Sequence, residues 1–272
     1  MQLTGIAVLD LFLYLLAALG LLWRLLGRGP ALLREGRSFT VCAAVVAVFI
    51  HSVLLYGLLA APHGLDLGYF NALALAGWLM ALMALLVFLK PAFENLGIVL
   101  FPLAGLSLLA AALFQHDVLL MSDRSWPLDM HIATSMLAYS LLGVAALQAA
   151  VLYLQERRLR TGKAGGVLAA LPPMQEMERF LFQLISAGFV LLTLSLLTGL
   201  LFVQDFMSQH LVHKAVLSIL AWAVFAVLLW GRWKFGWRGR LAVRWTLIGF
   251  ASLLLAYFGS KLVLELILGR HW

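Results

Sequence analysis

The chain has 272 residues, of which 64% are hydrophobic and 11% charged, and its mean hydropathy is +1.02. Soluble domains carry about a quarter charged residues, so these proportions exclude a soluble fold and indicate an integral membrane protein. The formal charge of +7 would suit nucleic acid only if the cations gathered into one patch, and the single cysteine, Cys42, excludes an intrachain disulfide or a CxxC redox pair.

A membrane-spanning helix needs about 20 mostly apolar residues, and eight stretches qualify. The first four run from Leu3 to Leu26, Ser38 to Ala61, Gly68 to Leu89 and Glu94 to Phe114. The second four run from Asp129 to Leu154, Arg179 to Val203, Leu211 to Trp230 and Leu241 to Leu268. None alternates as a β-barrel strand would, so the fold expected is all-α: one integral membrane domain, residues 1–272, with eight transmembrane helices in a bundle. The first stretch has no basic segment before it and contains Asp10, while Arg24 and Arg28 follow it. It reads as a retained span rather than a cleaved signal.

The cations set the orientation. They follow the first, third, fifth and seventh spans, from Arg24 to Arg37, at Lys90, from Arg157 to Arg179 and from Arg232 to Arg244. That puts 15 of the 19 basic residues on one face. The positive-inside rule makes this face cytoplasmic and both termini periplasmic. Topology therefore accounts for the net charge, and no nucleic-acid partner is expected. Trp230, Trp233, Trp237 and Trp245 gather at the same face, as interfacial anchors do.

Five of the seven histidines, His63, His116, His131, His210 and His213, then fall toward the outward side. His51 and His131 stand out because both lie in apolar surroundings. Each could be a neutral ring bonded to a neighbouring helix, or an iron ligand in the outer half of the bundle. Asp10 and Lys261 lie at similar depth in the first and last spans, and Glu265 is one turn beyond Lys261. This reads as a structural ion pair or triad closing the bundle.

The stretch from Met130 to Leu159, which begins Met130–His131–Ile132–Ala133–Thr134–Ser135–Met136, resembles the histidine-bearing helix of the cytochrome c assembly family. The similarity is to its CcsA and HemX group and above all to the YpjD-like branch. The segments Ile185–Phe189 and Leu192–Gly199 resemble a second family helix. Gly236–Trp237–Arg238–Gly239–Arg240–Leu241–Ala242 resembles the family's "GWRGrrA". The family's tryptophan-rich haem platform is not carried over: of that segment only Lys214 matches, and no tryptophan stands between Gln204 and Lys214.

The resemblance implies a haem-handling protein of the bacterial inner membrane, with a b-type haem near the periplasmic face. His131, at the family's ligand position, would be the iron ligand; depth in the spans adds His51 as first choice of partner and His213 as second. It also implies membrane lipid and other membrane proteins of haem or cytochrome assembly as partners. No nucleophile–base pair, phosphate loop or paired carboxylate is present, so no enzymatic activity is expected. The alternatives are a structural or regulatory membrane subunit without haem and, less favoured, a small-molecule transporter.

Overall fold

Lipid offers the backbone no hydrogen bonds, so an apolar chain of this length satisfies its amides within helices. The computed structural model describes residues 2–27, 36–61, 64–87, 91–114, 126–161, 170–202, 209–259 and 262. At 61, 64, 65, 91, 92, 202 and 209–213 only the backbone is described. The helices are α1 (Gln2–Leu26), α2 (Arg37–Leu59), α3 (Tyr69–Val87), α4 (Gly97–Leu113), α5 (Trp126–Arg160), α6 (Met174–Phe202), α7 (Gln209–Phe235) and α8 (Arg240–Leu254). A 3₁₀ turn, Pro91–Leu96, leads into α4, and a π-helical turn, Leu255–Gly259, continues α8. Residues Ala60–Ala61 and Gly64–Leu65 form a minimal antiparallel pairing between α2 and α3. Eight helices among the described residues are long and apolar enough to cross a membrane, in agreement with the eight expected stretches.

The boundaries differ most at the basic face. Helix α5 has 35 residues, or about 52 Å at 1.5 Å per residue, against a hydrocarbon layer of about 30 Å. It therefore exceeds that layer by about 20 Å, and its last turn carries Arg157, Arg158 and Arg160. Helices α6 and α7 likewise extend beyond the expected Arg179 and Trp230. Of the stretch expected to reach Leu268, the described helix ends at Gly259.

The chain divides into two compact units, residues 1–122 with 158–172, and residues 123–157 with 173–272. In the first, α1 packs on α2 and α4, and α3 packs on α4 and α2. Its interior is rich in small residues: Ala7, Ala17, Ala44, Ala47, Ala72, Ala74, Ala81 and Ala104 are fully buried beside Tyr14, Phe101 and Leu108, while Phe12, Phe49 and Tyr56 face outward. Helices in lipid associate through such close backbone approach. At Gly105 an added Cβ would lie 3.0 Å from the Cα of Leu11 on α1. At the basic face, Glu94 accepts from both Nη atoms of Arg24 at 3.1 and 3.2 Å and faces Arg37 at 3.7 Å, tying the 3₁₀ turn to α1 and α2.

The second unit is held by side-chain-to-backbone bonds as well as by packing. Gln148 on α5 donates to the carbonyl of Met177 on α6 at 3.1 Å, and Tyr139 on α5 donates to the carbonyl of Leu253 on α8. Trp222 on α7 donates to Thr193 on α6 at 2.9 Å and stacks on Phe189, with ring centroids 5.5 Å apart. Gly188 receives Leu142, and Gly249 receives Phe225.

Candidate functional site

His131 is the sixth residue of α5, counting from Trp126. Its Nδ1 donates to the carbonyl of Ser195 on α6 at 2.9 Å and lies 3.3 Å from Thr198 Oγ1. The carbonyl can only accept, so Nδ1 carries the proton. Thr198 is already a donor to the carbonyls of Leu194 and Ser195, at 2.9 and 3.0 Å, and so offers His131 a lone pair. In the neutral ring Nε2 is then an unprotonated lone pair, and it has no hydrogen-bond partner among the described residues. Ligating histidines are oriented in this way by a bond from the other ring nitrogen to a backbone carbonyl.

The surrounding residues hold that arrangement. Ser135, one turn along α5, donates to the His131 carbonyl at 2.6 Å, and its oxygen meets Ser195 Oγ at 2.6 Å. Gly199 on α6 lies beneath the ring: a Cβ there would stand 2.9 Å from Cε1 and 3.3 Å from Nδ1. The missing side chain is what lets the imidazole lie against α6. His213 is the fifth residue of α7, and Gly199 is the fourth from the end of α6, which packs on α7. Residues 131, 199 and 213 therefore each lie within six residues of an end of their helix in the second unit.

A haem iron needs one or two axial nitrogens rather than a cluster of protein ligands. Among the described residues no three His, Cys, Asp or Glu side chains converge. An oriented imidazole with a free Nε2, beside a helix surface cleared by glycine, fits the axial-ligand role.

His51 on α2 is wholly buried in the first unit. Its Nδ1 lies 3.3 Å from Tyr14 Oη, in a hydrogen bond whose direction depends on the ring's tautomer, and 4.0 Å from Asp10 Oδ2. Its Nε2 is buried and has no hydrogen-bond partner among the described residues. Asp10 is also fully buried, and neither of its carboxylate oxygens has a hydrogen-bond partner among the described residues. Tyr14 completes this trio and stacks on Phe101 of α4, with centroids 5.8 Å apart. Lys261 and Glu265, the expected partners of Asp10, lie outside the described residues. So do His63, His116 and His271, and at His210 and His213 only the backbone is described.

Sequence reasoning missed Tyr14, Ser135, Ser195, Thr198 and Gly199. One signal was available: Asp10 and Tyr14 are one turn apart on α1, at the depth of His51 on the neighbouring helix. The register of α5 against α6, which selects the Ser195 carbonyl, had no such signal.

Comparison with known proteins places these features in a lineage. The profile of the family described as Cytochrome C assembly protein matches residues 39–268. The chain is 35% identical over 245 residues to Inner membrane protein YpjD of Escherichia coli (strain K12), covering 88% of this chain and 92% of that protein. It is 26% identical over 251 residues to Cytochrome c biogenesis protein CcsA of Prochlorococcus marinus (strain MIT 9515), covering 82% and 79%. With Protein HemX of Brevibacillus brevis the identity is 22% over 131 residues, about half of each chain. No solved structure matches. A profile that spans the helices from α2 onward, and a relative this similar along nearly its whole length, mean that the chain belongs to the cytochrome c assembly protein family.

Proposed function

We propose that this protein binds haem b in the bacterial inner membrane, that His131 Nε2 would hold its iron, and that the protein handles haem without being an enzyme. The observation that carries the reading is the 2.9 Å bond from His131 Nδ1 to the Ser195 carbonyl, which fixes the tautomer a metal ligand needs. Family membership supports haem as the group bound. When bound, haem would supply one-electron chemistry at iron. The part of the chain is to orient the imidazole through Ser195 and Thr198, to clear its face at Gly199, and to exclude water with apolar helices.

His213 is the favoured second ligand, because it belongs to the same compact unit as His131 and lies in the first turns of α7. The Asp10–Tyr14–His51 trio gives His51 a structural part in the first unit. The basic residues lie at the end of α1, the start of α2, the end of α5, the start of α6, the end of α7 and the start of α8. The positive-inside rule makes that face cytoplasmic, both termini periplasmic and the His131 end periplasmic. Inner-membrane residence follows the name of the E. coli relative. Partners would be lipid, against the exposed apolar faces, and other membrane proteins of haem or cytochrome assembly.

The test is haem uptake by purified protein, followed by absorption. Wild type should bind, His131→Gly should not, and free imidazole should restore the His131→Gly spectrum by supplying the lost ligand. Unchanged uptake in His131→Gly would remove His131 from the site.

A further inference from the structure

The turn between α7 and α8 is braced by hydrogen bonds and flanked by cations. Glu178 on α6 accepts from Arg232 Nη1 at 2.7 Å and from the Gly239 N–H at 3.2 Å, and Arg232 also donates to the Trp237 carbonyl at 3.1 Å. The Arg232 guanidinium lies 4.6 Å from the centre of the Phe182 ring. Gly236 and Gly239 have φ of 66° and 59°, where side chains are disfavoured, and Gly231 makes room for the Trp237 ring. That ring lies between Phe235 and Trp245, with centroids 6.4 and 5.6 Å away.

Of the five cations around this turn, two are compensated: Arg232 by Glu178, and Arg240 by Glu156 at 3.0 Å. Lys234, Arg238 and Arg244 are exposed and have no acidic partner among the described residues. Trp233 and Phe235, 84% and 71% exposed, flank Lys234. Three uncompensated cations, Arg238 on a braced turn with Lys234 and Arg244 on the helices it joins, edged by aromatic rings, complement a phosphate ester carrying acyl chains.

We propose that the α7–α8 turn is a binding site for the headgroup of an anionic phospholipid, with Lys234, Arg238 and Arg244 on the phosphate and Trp233 and Phe235 against the acyl region. The site is independent of haem and stands whether or not His131 ligates iron.

The full chain, delipidated in mild detergent, would be titrated with phosphatidylglycerol, phosphatidylcholine or inorganic phosphate, and bound molecules counted by native mass spectrometry. Wild type should retain phosphatidylglycerol in preference to phosphatidylcholine, and inorganic phosphate should not displace it. A cation near such a surface is worth about fivefold in binding. The variant Lys234→Gln/Arg238→Gln/Arg244→Gln should therefore bind on the order of a hundredfold more weakly. Arg158→Gln, an exposed cation elsewhere on the basic face, should behave as wild type. The charge-retaining Lys234→Arg/Arg238→Lys/Arg244→Lys should keep most of the binding, which separates charge from misfolding. Equal retention by the neutral variant, equal binding of phosphatidylcholine, or displacement by inorganic phosphate would overturn the site.

Discussion

Replacing Gly199 by alanine tests the link between α6 and the His131 ring. The new Cβ would stand 2.9 Å from Cε1 and 3.3 Å from Nδ1. Carbon atoms rest at about 3.5–4.0 Å, so the ring must retreat by about 0.6 Å or more. That carries the 2.9 Å bond to Ser195 toward about 3.5 Å, beyond useful hydrogen-bond length. The lost bond costs about 1 kcal/mol, and forced repacking costs about 1–3 kcal/mol. Against this, alanine is favoured over glycine within a helix by about 1 kcal/mol. The net expectation is a loss of about 1–3 kcal/mol, together with weaker haem uptake. Gly57→Ala is the control, since nothing lies within 4 Å of its would-be Cβ, and it should be neutral or stabilising by up to about 1 kcal/mol. Denaturant unfolding in detergent reads both variants. If Gly199→Ala gains stability as Gly57→Ala does and takes up haem like wild type, the ring does not rest on α6 as described.

The buried trio, the turn and the topology give three further expectations. Asp10→Asn and His51→Leu should each destabilise the protein, and the double variant should recover about 1–3 kcal/mol of the sum, whereas strict additivity would mean the side chains do not interact. The same cycle with Asp10→Asn and Lys261→Met decides whether Asp10 also meets Lys261, as matched depth in the sequence proposes. Glu178→Gln weakens charge-assisted bonds to Arg232 and Gly239 and should cost about 1.5–3 kcal/mol, with faster tryptic cleavage at the α7–α8 turn; unaltered cleavage would show that Glu178 does not brace it. Reporter fusions at Arg28, Gly165 and Lys234 should all read cytoplasm, and one periplasmic signal would break the proposed orientation.

The helices were legible because lipid makes a strong filter: 20 apolar residues in a row have one stable use, and eight such runs gave eight helices. Their ends were less legible where amphipathic sequence carries a helix past the apolar run, as at Arg157–Arg160 of α5 and Arg232–Phe235 of α7. His131 could be singled out, because an imidazole in an apolar run needs a reason and the surrounding motif resembled a family helix. Its partners could not. Ser195, Thr198 and Gly199 are ordinary residues in a membrane helix and acquire a role only through the register of α6 against α5. Asp10 shows the reverse case. Its depth marked it as a candidate for pairing with Lys261, which lies outside the described residues, while the structure places His51 and Tyr14 beside it.

The most direct measurement is the absorption spectrum of the purified wild-type protein beside that of His131→Ala, oxidised and reduced. A Soret band, with reduced α and β bands of two-nitrogen ligation, is expected in wild type and should be lost or shifted in His131→Ala, while His63→Ala and His271→Ala keep it. A wild type that is colourless and takes up no added haem would contradict haem binding and leave a structural or regulatory membrane subunit as the function.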